Sequence, residues 1–151
     1  MKNFGTISRR FTGFTLATAL LILTACNLDS GKDKLQANEV ICIHDLQIKP
    51  GTDKKEFEAF VMNEIAPLYN QMKGQNLHLA KADRGVRKGQ YAIIITFKKI
   101  EDRDRIYPLD IGFSEEFTKT FEGKDDLWDK FLSMAEGFDG TTNTDYIVVV
   151  P

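Results

Sequence analysis

The chain has 151 residues, and 42% of them are hydrophobic and 28% charged, with a formal net charge of −2. The length suffices for a domain with its own hydrophobic core. Because no clustered excess of basic residues stands out, no nucleic-acid partner is expected.

The N-terminal segment predicts a secretory signal peptide over residues 1–25. A basic head precedes an apolar run of about 15 residues, which is shorter than the roughly 20 needed to span a bilayer. The run ends in Leu23-Thr24-Ala25-Cys26, which resembles a bacterial lipobox and predicts a lipid anchor on Cys26. The alternative is a plain secretory signal cut after Ala25. Asn27 is not the aspartate that retains enteric lipoproteins at the inner membrane, so the outer membrane is favoured.

Removal of residues 1–25 takes away three basic and no acidic residues, so the net charge falls from −2 to −5. Residues 26–38 are polar and predict a flexible tether. Residues 39–151 form the expected folded domain. Cys42 is then the remaining thiol, which predicts a small buried residue and no intramolecular disulfide.

The first elements of the domain predict a strand followed by a long helix. Residues 40–48 are rich in β-branched side chains, and Val40, Cys42, Leu46 and Ile48 share one face with His44. Residues 53–72 place apolar side chains at three- and four-residue steps, with a cap at Asp53 and a stop at Gly74. Pro67 predicts a kink over residues 63–67.

The second half predicts a hairpin, three short helices and a final strand. Residues 77–82 and 90–98 are the hairpin strands, joined by a loop that contains two glycines. Helices are expected over 101–106, from a cap at Ser114 to Phe121, and from a cap at Asp125 or Asp126 through Ala135. The run from Tyr146 to Val150 predicts the last strand, with both of its faces apolar.

This order of elements predicts an α+β fold of the ferredoxin-like, split βαβ type. Four antiparallel strands would carry helices on one face, and a second copy would cover the other face. At this point the chain resembles the dimeric α+β barrel superfamily over residues 39–150. The resemblance rests on the strand order, on Ile48-Lys49-Pro50-Gly51 before the helix face of Phe57, Phe60 and Val61, and on Gly89-Gln90-Tyr91.

The resemblance implies a fold more than an activity, because the superfamily includes monooxygenases acting on quinol-like substrates, haem-degrading enzymes and proteins without known activity. Three short stretches also resemble uncharacterised envelope proteins of this type. They are Asp83-Arg84-Gly85, Arg103-Asp104-Arg105 and Thr144-Asp145-Tyr146.

The candidate cavity residues are the two histidines and two aromatic residues: His44, His78, Tyr91 and Trp128. With strand three between them, the histidines would lie roughly 10 Å apart and line one cavity. Imidazole titrates near neutrality, so a histidine here would act as a general base. Each of these residues has a structural alternative, as a core or rim side chain.

No metal or cofactor is expected. Haem-degrading relatives use a histidine of the later helices, and residues 101–138 contain none. Zinc needs three or four close N or S ligands, which one thiol and two separated histidines do not supply. The basic residues Lys81, Arg84, Arg87 and Lys88 around the hairpin indicate a solvated loop or an anion or lipid-headgroup contact.

The sequence therefore predicts an envelope lipoprotein whose domain binds a small, partly apolar molecule between sheet and helices. Two alternatives stay open. One is a cofactor-independent enzyme of monooxygenase or isomerase type, and the other is a structural or interaction module with a filled barrel. An open cavity that holds a histidine would favour the binding protein or the enzyme, whereas an interior filled by side chains would favour the structural module.

Overall fold

Four antiparallel strands run in the order β2-β3-β1-β5 in the computed structural model, which describes residues 35–110, 112–138 and 143–150. They are β1 (Val40–Ile48), β2 (Gln75–Lys81), β3 (Tyr91–Phe97) and β5 (Asn143–Ile147), and a two-residue strand β4 (Ala135–Glu136) pairs with the far end of β1. This order, with helices between β1 and β2 and again after β3, is the ferredoxin-like topology. The predicted fold class is confirmed.

The first helix is interrupted where the sequence predicts a kink. It consists of α1 (Lys54–Phe60), a π-helical turn (Val61–Ile65) and α2 (Ala66–Gln71). Asp53 caps α1 by accepting from the amides of Lys55 and Glu56. The Ala66 amide donates to the Val61 carbonyl, one residue further back than in an α-helix. This wider turn lies just before Pro67, which has no amide to donate.

Three helices follow β3: α3 (Ile100–Ile106), α4 (Glu115–Phe121) and α5 (Asp125–Met134). Ser114 caps α4 by accepting from the Phe117 amide, as predicted. The cap predicted at Asp125 or Asp126 is wrong, because α5 begins at Asp125 and Lys124 is its N-cap residue. Both aspartates lie in the first turn, where their charge favours the helix dipole.

The last strand lies three residues earlier than predicted. It covers Asn143–Ile147 rather than residues 146–150, because these five residues pair with β1 from His44 back to Val40. Just beyond the strand, the Val148 amide donates to the Glu39 carbonyl. The Asn38 amide donates in return to the Val148 carbonyl. The C-terminal end of the predicted tether is therefore hydrogen-bonded to the domain, whereas the signal peptide and Cys26 lie outside the described residues.

One face of the sheet packs on the helices, and no helix of the described residues covers the other, which we call the open face. Alternate residues of β1 and β3 face the helices, and with the helical side chains they form the core: Val40, Cys42, Leu46, Ile93, Ile95, Phe57, Phe60, Val61, Ile65 and Phe131. The open face carries Ile41, Ile43 and Ile94 at its centre. The apolar character of this face thus comes from the central strands, since Val149 and Val150 lie beyond β5.

No helix in the described part of the chain is long and apolar enough to cross a membrane.

Candidate functional site

A cavity of about 670 Å³ lies between the helix-facing side of the sheet and the helices α2 to α5. Its walls are mainly aromatic, and they come from every layer of the domain: Tyr69, Phe97, Tyr107, Phe113, Phe117, Trp128 and Phe138. Phe113 stacks on Phe117 with ring centroids 4.4 Å apart, and Trp128 stacks on Phe138 at 5.9 Å. Such flat walls suit a flat, largely apolar guest.

The floor of this cavity is polar and is built by β1. Cys42 and His44 are two residues apart on one strand, so both side chains point toward the helices. They are only 6% and 8% exposed. Sγ of Cys42 lies 3.3 Å from Nε2 of His44, and the His44 ring meets the ring of Phe138 edge-on at 4.5 Å. A buried imidazole and thiol therefore face the aromatic walls.

The edge strand β5 adds two more polar groups through its register with β1. His44 lies opposite Asn143, and Cys42 lies opposite Asp145. Nδ2 of Asn143 donates to Sγ of Cys42 at 3.4 Å. The pairing thus brings together side chains that are about a hundred residues apart in sequence.

An arginine from α3 closes the polar side of the cavity. Nη1 of Arg103 lies 3.0 Å from Oδ2 of Asp145, and Nη2 lies 2.8 Å from Oδ1 of Asp104. These carboxylates raise the pKa of Arg103 despite the opposing effect of desolvation. With two carboxylates beside it, the guanidinium offers little uncompensated positive charge to a ligand.

Burial keeps the Cys42 thiol and the Tyr69 and Tyr107 phenols of the cavity neutral. Desolvation, together with a hydrogen bond to Asp145, raises the pKa of the Cys42 thiol from 9.0 to about 12. Desolvation also raises the pKa of the Tyr69 and Tyr107 hydroxyls above the usual range. At neutral pH the cavity therefore presents a thiol, which is a weak hydrogen-bond donor, and phenol hydroxyls, which are good donors, and no thiolate nucleophile.

Of the four cavity residues predicted from sequence, the structure places two in the lining. His44 lies on the floor and Trp128 in the wall. His78 is exposed on the opposite face of the sheet, level with Ile94 and Ile43, so the prediction that both histidines line one cavity is wrong. The sequence does contain a signal for the direction of His78, because Leu77 and Leu79 flank it and adjacent strand residues point to opposite faces of the sheet.

Tyr91 also lies outside this cavity. It faces the helices at the far end of β3, where its ring packs on Phe57 and its hydroxyl donates to Glu58. Lys81 lies 3.0 Å from the same carboxylate. These contacts make Tyr91 a packing residue at the first position of β3, outside the cavity.

The cysteine–asparagine–aspartate cluster and most of the aromatic walls were missed from the sequence. Cys42 was predicted as a buried small residue, and it is indeed buried. The alternation of Asn143 and Asp145 along the edge strand is the one sequence pattern that points to this cluster.

A second depression, of about 960 Å³, lies at the other end of β1 beside the hairpin. Most of its charged groups are paired: Arg87 pairs with Asp45, and Lys49 lies 3.7 Å from Glu136, while Lys54 also lines the depression. Other basic residues of the predicted hairpin set are also paired, Lys81 with Glu58 and Arg84 with Asp83. Because no aromatic ring is among its lining residues, this depression offers less to an apolar ligand.

Within the described residues, no group of three or more histidine, cysteine or acidic side chains could hold a metal ion.

The fold and this site define an α+β protein of ferredoxin-like topology with an internal aromatic cavity. No family model and no curated protein sequence matches the chain. Three solved structures are similar to it over 76% of its length. SnoaB, a cofactor-independent oxygenase from Streptomyces nogalater, has 10% identity, a TM-score of 0.46 and 97% of its own chain covered.

A putative antibiotic biosynthesis monooxygenase from Bordetella bronchiseptica has 14% identity and a TM-score of 0.45, and is covered completely. A dimeric protein of unknown function and ferredoxin-like fold from Bacteroides fragilis has 11% identity and a TM-score of 0.42, also with 100% of its chain covered. At these identities the likeness concerns the fold alone.

Proposed function

We propose that this domain binds a small, neutral, hydroxylated aromatic molecule in the cavity between sheet and helices. The observation that carries this proposal is a cavity of about 670 Å³ with aromatic walls and a buried floor of Cys42 and His44. That volume lies within the range of about 300–1,000 Å³ that is typical of small-molecule sites. Flat walls select a ring, and the polar floor selects a hydroxyl group on it.

The charges around the cavity argue against an anionic ligand. Arg103 is the basic residue of the lining, and it already pairs with Asp145 and Asp104. A carboxylate guest would lose its hydration and meet at least as many acidic as basic groups. A neutral phenol, by contrast, both donates and accepts a hydrogen bond, which suits an imidazole beside a thiol.

Calorimetric titration with 2-naphthol and with naphthalene-2-carboxylate tests the proposal. We expect 2-naphthol to bind and the carboxylate to bind at least tenfold more weakly. His44→Phe keeps a ring but removes the imidazole from the floor, and should weaken the binding of 2-naphthol by about tenfold, the worth of one hydrogen bond. His78→Phe is the matched control, because this exposed histidine lies on the opposite face. Equal effects of the two substitutions would contradict the proposal.

A second candidate function is cofactor-independent oxidation or isomerisation, and the position of His44 favours it. An imidazole on the floor of an aromatic cavity is placed to remove a proton from a ring hydroxyl of the guest. Oxygen uptake with a naphthohydroquinone, above the uncatalysed rate, would support turnover, and His44→Gln should abolish it while binding persists. Uptake unchanged by His44→Gln would exclude this role.

We further propose that a second copy of the chain covers the open face of the sheet. Ile41, Ile43 and Ile94 form the centre of this face, and more polar or exposed residues flank them on β2 and β5. An apolar centre with a polar rim is typical of an interface. Light scattering should give a dimer that Ile43→Lys dissociates and the loop substitution Val86→Lys does not. A monomeric wild type would refute this.

From the sequence of the N-terminal segment, we also propose that the protein is located in the cell envelope and carries a lipid on Cys26. Labelling of cells with radioactive palmitate should mark the protein. Cys26→Ser should abolish the label and Cys42→Ser should retain it, because Cys42 is buried in the domain. Label that persists in the Cys26→Ser variant would contradict a lipid anchor on Cys26.

A further inference from the structure

The rim of the aromatic cavity is apolar on the side of the loop between α3 and α4. Leu109 is 99% exposed and Phe113 is 58% exposed, although both line the cavity. The Gly112 amide donates to the Pro108 carbonyl at 3.0 Å, which fixes the described residues of this loop on either side of Leu109. Two exposed apolar side chains on one loop, continuous with a cavity, mark a surface that a ligand can cover.

The cavity is therefore polar where it is buried and apolar where it is exposed. Its buried floor carries the imidazole and thiol of His44 and Cys42, whereas its exposed rim carries Leu109 and Phe113. A guest whose hydroxyl meets the floor has its opposite end directed at the rim. Water at that rim contacts apolar side chains, so an apolar substituent there would displace it favourably.

We infer that the ligand of this cavity is a neutral amphiphile, with its hydroxylated ring on the floor and an aliphatic chain that leaves over Leu109 and Phe113. This inference rests on the proposed binding function and deepens it by adding an aliphatic chain to the ligand. The ring alone accounts for the aromatic walls and the polar floor, but it leaves the exposed rim uncovered. The chain accounts for the rim.

The expected gain in affinity follows from the burial of methylene groups. A fully buried methylene group strengthens binding about fourfold. A chain that lies on a rim is covered on one side, so we expect about twofold for each methylene. Over the five methylenes that separate 4-methylphenol from 4-hexylphenol, this amounts to about 30-fold.

Calorimetric titration of the full chain with the 4-alkylphenols from methyl to hexyl tests the inference. The Leu109→Ser, Phe113→Ser double variant should reduce the hexyl-to-methyl ratio to below about fivefold, and Leu109→Ser alone should lie between. Val86→Ser is the matched control, because Val86 is a fully exposed apolar residue of the hairpin loop and does not line the cavity.

The outcomes separate the inference from the proposed function. If 2-naphthol binds but the affinity is constant along the alkylphenol series, the inferred aliphatic chain is wrong and the proposed ring site stands. The same steep series in wild type and in the double variant would also overturn the inference. Failure of both 2-naphthol and every alkylphenol to bind would remove the proposed function itself.

Discussion

The chemical reactivity of Cys42 provides a quantitative test of the cavity floor. The pKa of the thiol rises from 9.0 to about 12, chiefly because the side chain is buried. At pH 8 this shift lowers the thiolate population about 1,000-fold relative to an exposed cysteine. A more basic thiolate is also a better nucleophile, which raises the rate constant of the thiolate itself by a factor of about 15 to 30. The net reaction should be about 30- to 60-fold slower, before any loss of access.

The assay is the reaction of the full chain carrying Cys26→Ser with a disulfide reagent, in which Cys42 is the remaining thiol. The rate is compared at pH 8 in native buffer and in guanidinium chloride. Asp145→Asn should speed the native reaction, because the Asp145 carboxylate contributes to the raised pKa. Asp129→Asn, an exposed change on α5, serves as the control. A native rate within threefold of the unfolded rate would refute the structure of the floor.

Three further predictions concern stability, and each is measured by chemical denaturation. Phe131→Ala should lower the free energy of unfolding by about 3–5 kcal/mol, because this ring is fully buried. Gly74→Ala should cost more than Gly51→Ala: both have positive φ, but only at Gly74 would a Cβ overlap the Asp102 carboxylate. Equal losses would contradict that contact. Stability should also fall as pH rises above 9, since the unfolded thiol ionises near 9 and the folded thiol near 12. The loss attributable to Cys42 is about 1.4 kcal/mol between pH 7 and pH 10, and Cys42→Ala should remove it.

The elements of this fold could be predicted because their signals are local. The strand over Val40–Ile48 has a dense run of β-branched residues, and the cap at Asp53 and the irregular turn before Pro67 each depend on neighbours within a few residues. The last strand was misplaced because its valines look more strand-like than Asn143–Ile147 does. The observed strand is defined by its pairing with β1, in which Asn143 lies opposite His44 and Ile147 opposite Val40, and these partners are about a hundred residues apart in sequence.

The site was harder to predict because it depends on register. The polar floor needs Asn143 and Asp145 to lie opposite His44 and Cys42, and no short-range pattern specifies that pairing. The direction of His78 was predictable in principle, from the two leucines that flank it. The aromatic walls come from α2, β3, α4 and α5 and from the loops beside them, so their convergence follows only from the packing of helices on the sheet.

The central claim is that the aromatic cavity binds a neutral hydroxylated ring, and Trp128 allows a direct test. It is the single tryptophan of the chain and lies in the cavity wall, so 5-fluorotryptophan labelling places one ¹⁹F nucleus there. On titration with 2-naphthol, we expect the ¹⁹F resonance to shift saturably with a dissociation constant below about 1 mM. Naphthalene-2-carboxylate should produce a much weaker response. A resonance unmoved by 2-naphthol, or moved equally by both compounds, would contradict the account.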